Sequence, residues 1–281
     1  MKTRKDYPFF ADIPADQYHE DARHGKFLSS HLLGDFRKCP RTYHQKMTGE
    51  IPPQDSAAYR TGRAVHTLVC EGRGKFDEEF VVTDGPVNPK TGEPFGKLTK
   101  VYKEWPAAQK LEPISTADFG FMTKLQSAVW LHPIAGELLS DGWAEGTVRT
   151  QYNGEPVQIR IDYFNPNFTD PLTGRKGAII DLKTCETLDF FESDARRYGY
   201  IHQLAFYREV MRIVSGEEFP VHIIAVEKKA PYRVGVWKLA PEALDDAKAD
   251  NERALSLLRE CRCQNTWPTG YEELRVLDFT R

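Results

Sequence analysis

The stretch that most constrains this chain is residues 177–184, Gly-Ala-Ile-Ile-Asp-Leu-Lys-Thr. Its apolar run reads as a buried strand that ends on an acid and a base. Alternate side chains of a strand share a face. Asp181 and Lys183 therefore point the same way, while Ile180 and Leu182 point into the core. A carboxylate and an ammonium at the end of an apolar strand are costly unless something compensates their charge. A divalent cation beside the carboxylate and an anionic substrate beside the lysine would do so. Taken alone, the pair reads equally well as a structural ion pair at a sheet edge.

The flanking sequence supplies partners for this strand. Period-two patterning covers 143–152 and 157–164, with Gly154-Glu155 as a hairpin turn. A loop over 166–174 leads into 177–183. Glu145, Asp162 and Asp181 thus fall on three successive strands of one sheet. Further strands are expected at 80–83, 219–227 and 232–239.

Helices are expected from the Ser29-Ser30 cap to about Cys39, and over 100–111, 187–197 and 200–214. Ser115 with Asp118 opens another, to about His132, and Pro133 starts a short one over 134–139. Pro241 begins the last, to about Cys261. A helix over 57–71 takes Asp55 or Ser56 as its cap and Gly72 as its stop. Tyr59, Gly62, His66 and Val69 share one stripe of it. Gly62 costs about 1 kcal/mol there relative to Ala, which suits close approach of another backbone or a ligand. His66 would face the same neighbour, or else pack as a core histidine on a backbone carbonyl.

Residues 1–27 read as an irregular arm. Residues 84–98 read as a Gly- and Pro-rich loop, with Lys90, Lys97, Lys100 and Lys103 in or just after it. No repeat or linker is visible. The expected architecture is one α/β domain over 1–281, a central mixed sheet flanked by helices, with its core at about 28–267.

Composition narrows the partners. Net charge is -3, from 38 basic and 41 acidic residues, so no global basic field advertises nucleic acid, although a local basic groove can coexist with acidic outer faces. No apolar run approaches the roughly 20 residues of a membrane span. The first residues lack the apolar core of a signal peptide, and the chain is read as cytoplasmic. The five cysteines, Cys39, Cys70, Cys185, Cys261 and Cys263, are read as free thiols. Cys261 and Cys263 lie too close together for a paired zinc pattern.

The acids and the lysine form the collection that phosphodiester hydrolysis needs. Magnesium prefers oxygen ligands. Asp162 and Asp181 would hold it, with the Leu182 backbone carbonyl as a neutral ligand. Lys183 would orient or deprotonate water, or neutralise the phosphate. Glu145 would hold a second metal or a metal-bound water. His66 would add a ligand more compatible with manganese. Gln203 and Tyr207, four apart on one helix face, would contact phosphate or the base stack.

The order Gly62-Arg-Ala-Val-His66, Glu145, Ile161-Asp162, Ile180-Asp-Leu-Lys-Thr184 and Tyr198-Gly-Tyr-Ile-His-Gln-Leu-Ala-Phe-Tyr207 resembles the PD-(D/E)XK nuclease superfamily. Within it the chain looks like the RecB-related branch, and most like exonuclease VIII (RecE-type) nuclease domains of phages and prophages. The resemblance runs from residue 28 to about 267. It implies a restriction-endonuclease-like core and a magnesium-dependent exonuclease that digests one strand of linear duplex DNA from its 5′ end. It further implies a 3′ single-stranded tail for a recombination partner that anneals single strands, and a toroidal homo-oligomer, trimer or tetramer. The carry-over is residue by residue for His66, Asp162, Asp181 and Lys183. It is looser for Glu145, whose place depends on hairpin length and with which Glu71 competes. Some members of that branch hold an iron–sulfur cluster through one early and three late cysteines. Cys39 matches the early position, but only Cys261 and Cys263 lie late, so no cluster is expected. Two other readings remain open at the level of sequence: an inert DNA-binding or assembly module on the same fold, and a nuclease of other polarity or substrate.

Overall fold

The structure is a computed structural model and describes residues 1–52, 57–96, 98–105 and 109–276. The Asp55 or Ser56 cap and Lys97 lie outside the described residues. In chain order the elements are β1 (Phe10–Ala11), α1 (Ala15–Arg23), α2 (Ser30–Lys38), α3 (Pro40–Met47), α4 (Ala57–His66), α5 (Gly72–Glu79), β2 (Phe80–Val82), α6 (Lys100–Glu104) and β3 (Glu112–Ile114). There follow α7 (Thr116–Leu131), α8 (Pro133–Leu138), β4 (Trp143–Tyr152), β5 (Glu155–Thr169), β6 (Lys176–Cys185), α9 (Phe191–Tyr198), α10 (Tyr200–Ser215), β7 (Val221–Glu227), β8 (Val234–Lys238) and α11 (Pro241–Gln264).

The main sheet has the strand order β1-β4-β5-β6-β7-β8. It is mixed: β6 pairs parallel with β7, and the other neighbours are antiparallel. One face packs on α2, α10 and α11 through Leu33, Phe36, Phe206 and Leu258. The opposite face packs on α4, α7 and α8 through Val65, Leu125 and Leu138. Burial on both faces is what permits a parallel pair, and it explains the unbroken apolar runs in β6 and β7.

Caps fall where their chemistry predicts. Ser29 accepts from the Leu32 amide, and Ser115 from the Asp118 amide. Several boundaries differ from the sequence expectation. The N-terminal 27 residues are not irregular: Phe10–Ala11 pairs with β4, and Ala15–Arg23 is a helix. Gly72 ends the helical run as expected, with a φ of 85°, but a new helix starts from it. The coil widens to a π-turn at Thr67–Glu71, and α5 then runs to Glu79. The expected stripe is not buried along its length: Tyr59 on α4 is 68% exposed, whereas Val69 on the π-turn is buried. Nothing among the described residues lies within 4 Å of where a Gly62 Cβ would stand, so no backbone approaches it. The helix expected over 100–111 ends at Glu104, and Glu112–Ile114 is a strand parallel to β2. β5 extends through Pro166 to Thr169, where a loop was expected.

The feature that positions the site is a fork. β5 and β6 pair only from Tyr163↔Ile180 outward, toward Thr169↔Lys176. Beyond that rung β5 stays with β4, and β6 stays with β7. Asp162 and Asp181 are the first residues past the last shared rung.

Candidate active site

Both aspartates stand at the fork for local reasons. In β6 the alternation is strict. Ala178, Ile180 and Leu182 join the core against α4 and α7, while Ile179 and Cys185 join the opposite core. Asp181 and Lys183 therefore face α10. In β5 the alternation slips: Ile159, Ile161 and Phe164 belong to one core and Tyr163 to the other. The slip falls at Asp162, whose carboxylate reaches both His66 of α4 and the Leu182 amide across the fork. On β4 the matching rung is skipped, since Ala144 pairs with Tyr163 and Gly146 with Ile161. Glu145 lies between them with φ 55°, a left-handed conformation unusual for a residue with a side chain.

Hydrogen bonds and ion pairs close the cluster. Asp162 Oδ2 accepts from the Leu182 amide at 2.8 Å, bridging the gap that the fork opens. His66 Nε2 lies 2.7 Å from Asp162 Oδ2, and His66 Nδ1 lies 3.2 Å from Glu145 Oε1. Arg160 pairs with Glu145 and donates to the Ile13 carbonyl at 3.0 Å, which ties the N-terminal segment to the site. Lys183 Nζ is 2.7 Å from Asp181 Oδ2, close enough for an ion pair but off the angles of a hydrogen bond. Gln203 Nε2 donates to Asp181 Oδ1 at 3.2 Å and to the Tyr207 hydroxyl at 3.3 Å.

The electrostatics follow from burial. Asp181 is 1% exposed. Burial pushes its carboxyl up to about 6, and Asp162 adds to the rise against the pull of Lys183. Burial also opposes charge on Lys183, yet Asp181 and Asp162 outweigh it and hold the ammonium above its usual range. Burial disfavours an imidazolium at His66, but Asp162 and Glu145 hold it charged well above the usual histidine range. The carboxyls of Asp162 and Glu145 are desolvated as well, and the His66 interaction holds both below their ordinary values. Glu71, on the π-turn, is pushed up to about 7 by burial and then by Glu145 and Glu79.

The structure thus brings together seven residues singled out in the sequence: His66, Glu145, Asp162, Asp181, Lys183, Gln203 and Tyr207. Leu182 contributes its backbone. Glu145 contacts His66 directly, which its position in the hairpin left undecided. Sequence reasoning missed Arg160, although it stands two residues before Asp162 on the same strand. It also missed Tyr200, whose ring lies 4.8 Å from Lys183 Nζ.

Two aspartates thus stand across a sheet fork, with a lysine two residues beyond the second. Residues 29–279 match the family described as a PDDEXK-like domain of unknown function (DUF3799). The chain belongs to that family. It has the PD-(D/E)XK fold. Among solved structures it is similar to a protein from Eubacterium rectale described as a "Putative exonuclease", with a TM-score of 0.65, 17% identity and 95% of each chain covered. No curated protein matches the sequence. Among the described residues no helix is long and apolar enough to cross a membrane.

The donor set suits a divalent cation in kind. Asp162 and Asp181 offer oxygens, Leu182 a carbonyl and His66 a nitrogen, and Asp181 Oδ2 is buried without a hydrogen bond. Among the described residues, no three His, Cys, Asp or Glu side chains already converge as an open cage. The donors are instead paired with one another and with Lys183. A cation would replace the proton that His66 shares with Asp162.

Proposed function

We propose that this chain is a metal-dependent exonuclease that hydrolyses linear double-stranded DNA from the 5′ end, leaving 3′ single-stranded tails for recombination. The observation that carries the reading is Asp181. A buried carboxylate held at a high pKa, beside a second aspartate and a lysine, is an arrangement that folding alone does not favour. Family membership and the likeness to the Eubacterium rectale protein support a phosphodiesterase on this fold.

Asp162, Asp181, the Leu182 carbonyl and His66 would hold the cation, magnesium or manganese, which would supply charge stabilisation and an acidified water. Lys183 keeps its proton against burial and is placed to neutralise the scissile phosphate. Gln203 orients Asp181 and is itself fixed by Tyr207. Arg160 and His66 hold the two carboxylate oxygens of Glu145. The same reading proposes a cytoplasmic enzyme that acts on DNA ends as a toroidal trimer or tetramer and hands its tail to a strand-annealing protein.

The test is digestion of linear duplex beside a closed circle in millimolar magnesium. Loss of the linear form alone is expected. Binding without cleavage of either form would favour the inert module instead, and cleavage of the circle would mean an endonuclease.

A further inference from the structure

A ladder of rings and cations runs from Lys183 to the surface. Lys183 Nζ sits 4.8 Å from the centroid of the Tyr200 ring. Tyr200 stacks on Tyr198, with centroids 5.8 Å apart and planes at 29°. The Arg197 guanidinium lies 4.5 Å from the Tyr198 centroid, and Arg197 also bonds the Tyr198 hydroxyl. Tyr198 is 51% exposed, and Arg197 Nη2 is 3.3 Å from Asp194 at the surface. The bend that permits the ladder is Gly199. Its φ of 76° ends α9 and starts α10, so two tyrosines only two residues apart stack face to face.

A half-exposed tyrosine backed by a second ring and capped by a guanidinium plane is a poor core element, because the stack ends in water. It is a good platform for a planar ligand. Base-on-aromatic stacking tolerates any sequence, and a guanidinium plane adds both stacking and charge. In intact duplex the base faces are covered by their neighbours, so such a platform selects an unpaired strand.

We infer that Arg197, Tyr198 and Tyr200 form a stacking track for an unpaired DNA strand, which leads its terminal nucleotides to Lys183. This inference rests on the nuclease reading and names the substrate form that the site receives: a frayed or single-stranded end. The outer base stacks on the Arg197 plane that Tyr198 supports, and Tyr200 separates it from the lysine.

The experiment uses full-length protein carrying Asp181→Asn, so that binding is read without cleavage. The probes are a short single strand with 2-aminopurine near one end, and a blunt duplex of the same sequence. Tyr198→Ala in this background is expected to weaken single-strand binding about tenfold and to remove the fluorescence quenching that stacking produces. Tyr198→Phe, which keeps the ring, is expected to restore both. Equal affinity and equal quenching in the Ala variant would overturn the track, as would preferential binding of the blunt duplex. Cleavage by the parent protein is measured separately. Retained cleavage with no Tyr198 effect removes the track alone, whereas no DNA binding by any variant and no cleavage removes both readings.

Discussion

Replacing Asp181 by asparagine is expected to make the metal-free protein more stable while abolishing its activity. The carboxyl is 1% exposed and its pKa rises from 3.8 to about 6 on folding. Asparagine reproduces the shape and hydrogen-bonding capacity of the protonated acid. With the Lys183 attraction already counted against it, a carboxyl raised from 3.8 to about 6 costs on the order of 3 kcal/mol once ionised. The sign follows from linkage. A carboxyl whose folded pKa is raised destabilises the fold as it ionises. The penalty is absent below pH 3.8, grows between there and about 6, and is complete above. For 281 residues, an unfolding entropy of about 2.1 cal/mol/K per residue turns 3 kcal/mol into a Tm gain of about 5 °C at pH 7.5. Thermal melts of the two proteins in chelator, from pH 4 to pH 8, would measure this. The gain should vanish at the acid end, and adding magnesium should raise the Tm of the parent only. A variant that melts with or below the parent at pH 7.5 would refute the argument that this carboxylate is held at an electrostatic cost.

Other outcomes follow from the same geometry. Lys183→Gln should lower cleavage by about 10²–10⁴-fold, the range of a lost proton-transfer or charge-stabilising group, with far-UV circular dichroism unchanged; activity within a few-fold of the parent would remove the lysine from the reaction. In metal-free protein His66 should keep protons on both ring nitrogens at a pH where an ordinary histidine has lost one, because Asp162 and Glu145 hold the imidazolium; nitrogen NMR of the ring reads this directly, and manganese or magnesium should release the proton. Asp170 tests the scaffold away from the site. It is buried, pairs with Lys238, and accepts from the Leu172 amide at 3.0 Å. Desolvation would raise its carboxyl, but Lys238 and Thr173 bring it down to about 2. That stability is present above pH 3.8 and is lost as pH falls through about 2. Asp170→Ala should cost about 3 kcal/mol in chemical denaturation at pH 7, the lower end for breaking a buried pair; a loss under 1 kcal/mol would contradict it.

The sheet and the site were legible in the sequence to different depths. Asp181 with Lys183 was readable because β6 keeps strict alternation with both faces apolar. Gln203 and Tyr207 were readable because helical spacing fixes a shared face. Glu145 was named but not placed, since its position depends on a left-handed residue and a skipped rung, and period-two patterning assumes neither. Nor does any local signal announce that alternation slips at Asp162; the slip exists because two strands part there and Leu182 must find an acceptor across the gap. The π-turn after His66 was equally hidden, as Thr-Leu-Val-Cys-Glu suits an α-helix as well. The N-terminal strand escaped because two residues, Phe10 and Ala11, carry no period at all; the sheet edge beside Thr147 and Val148 decides their conformation. These are tertiary effects overriding local pattern.

The most direct test of the central reading is a time course with linear duplex labelled at its 5′ or 3′ ends, given to the parent protein and to Asp181→Asn in millimolar magnesium. The account predicts early release of the 5′ label by the parent, a surviving 3′-ended strand, and no release by the variant. Intact DNA with the parent, or equal digestion by the two proteins, would contradict it.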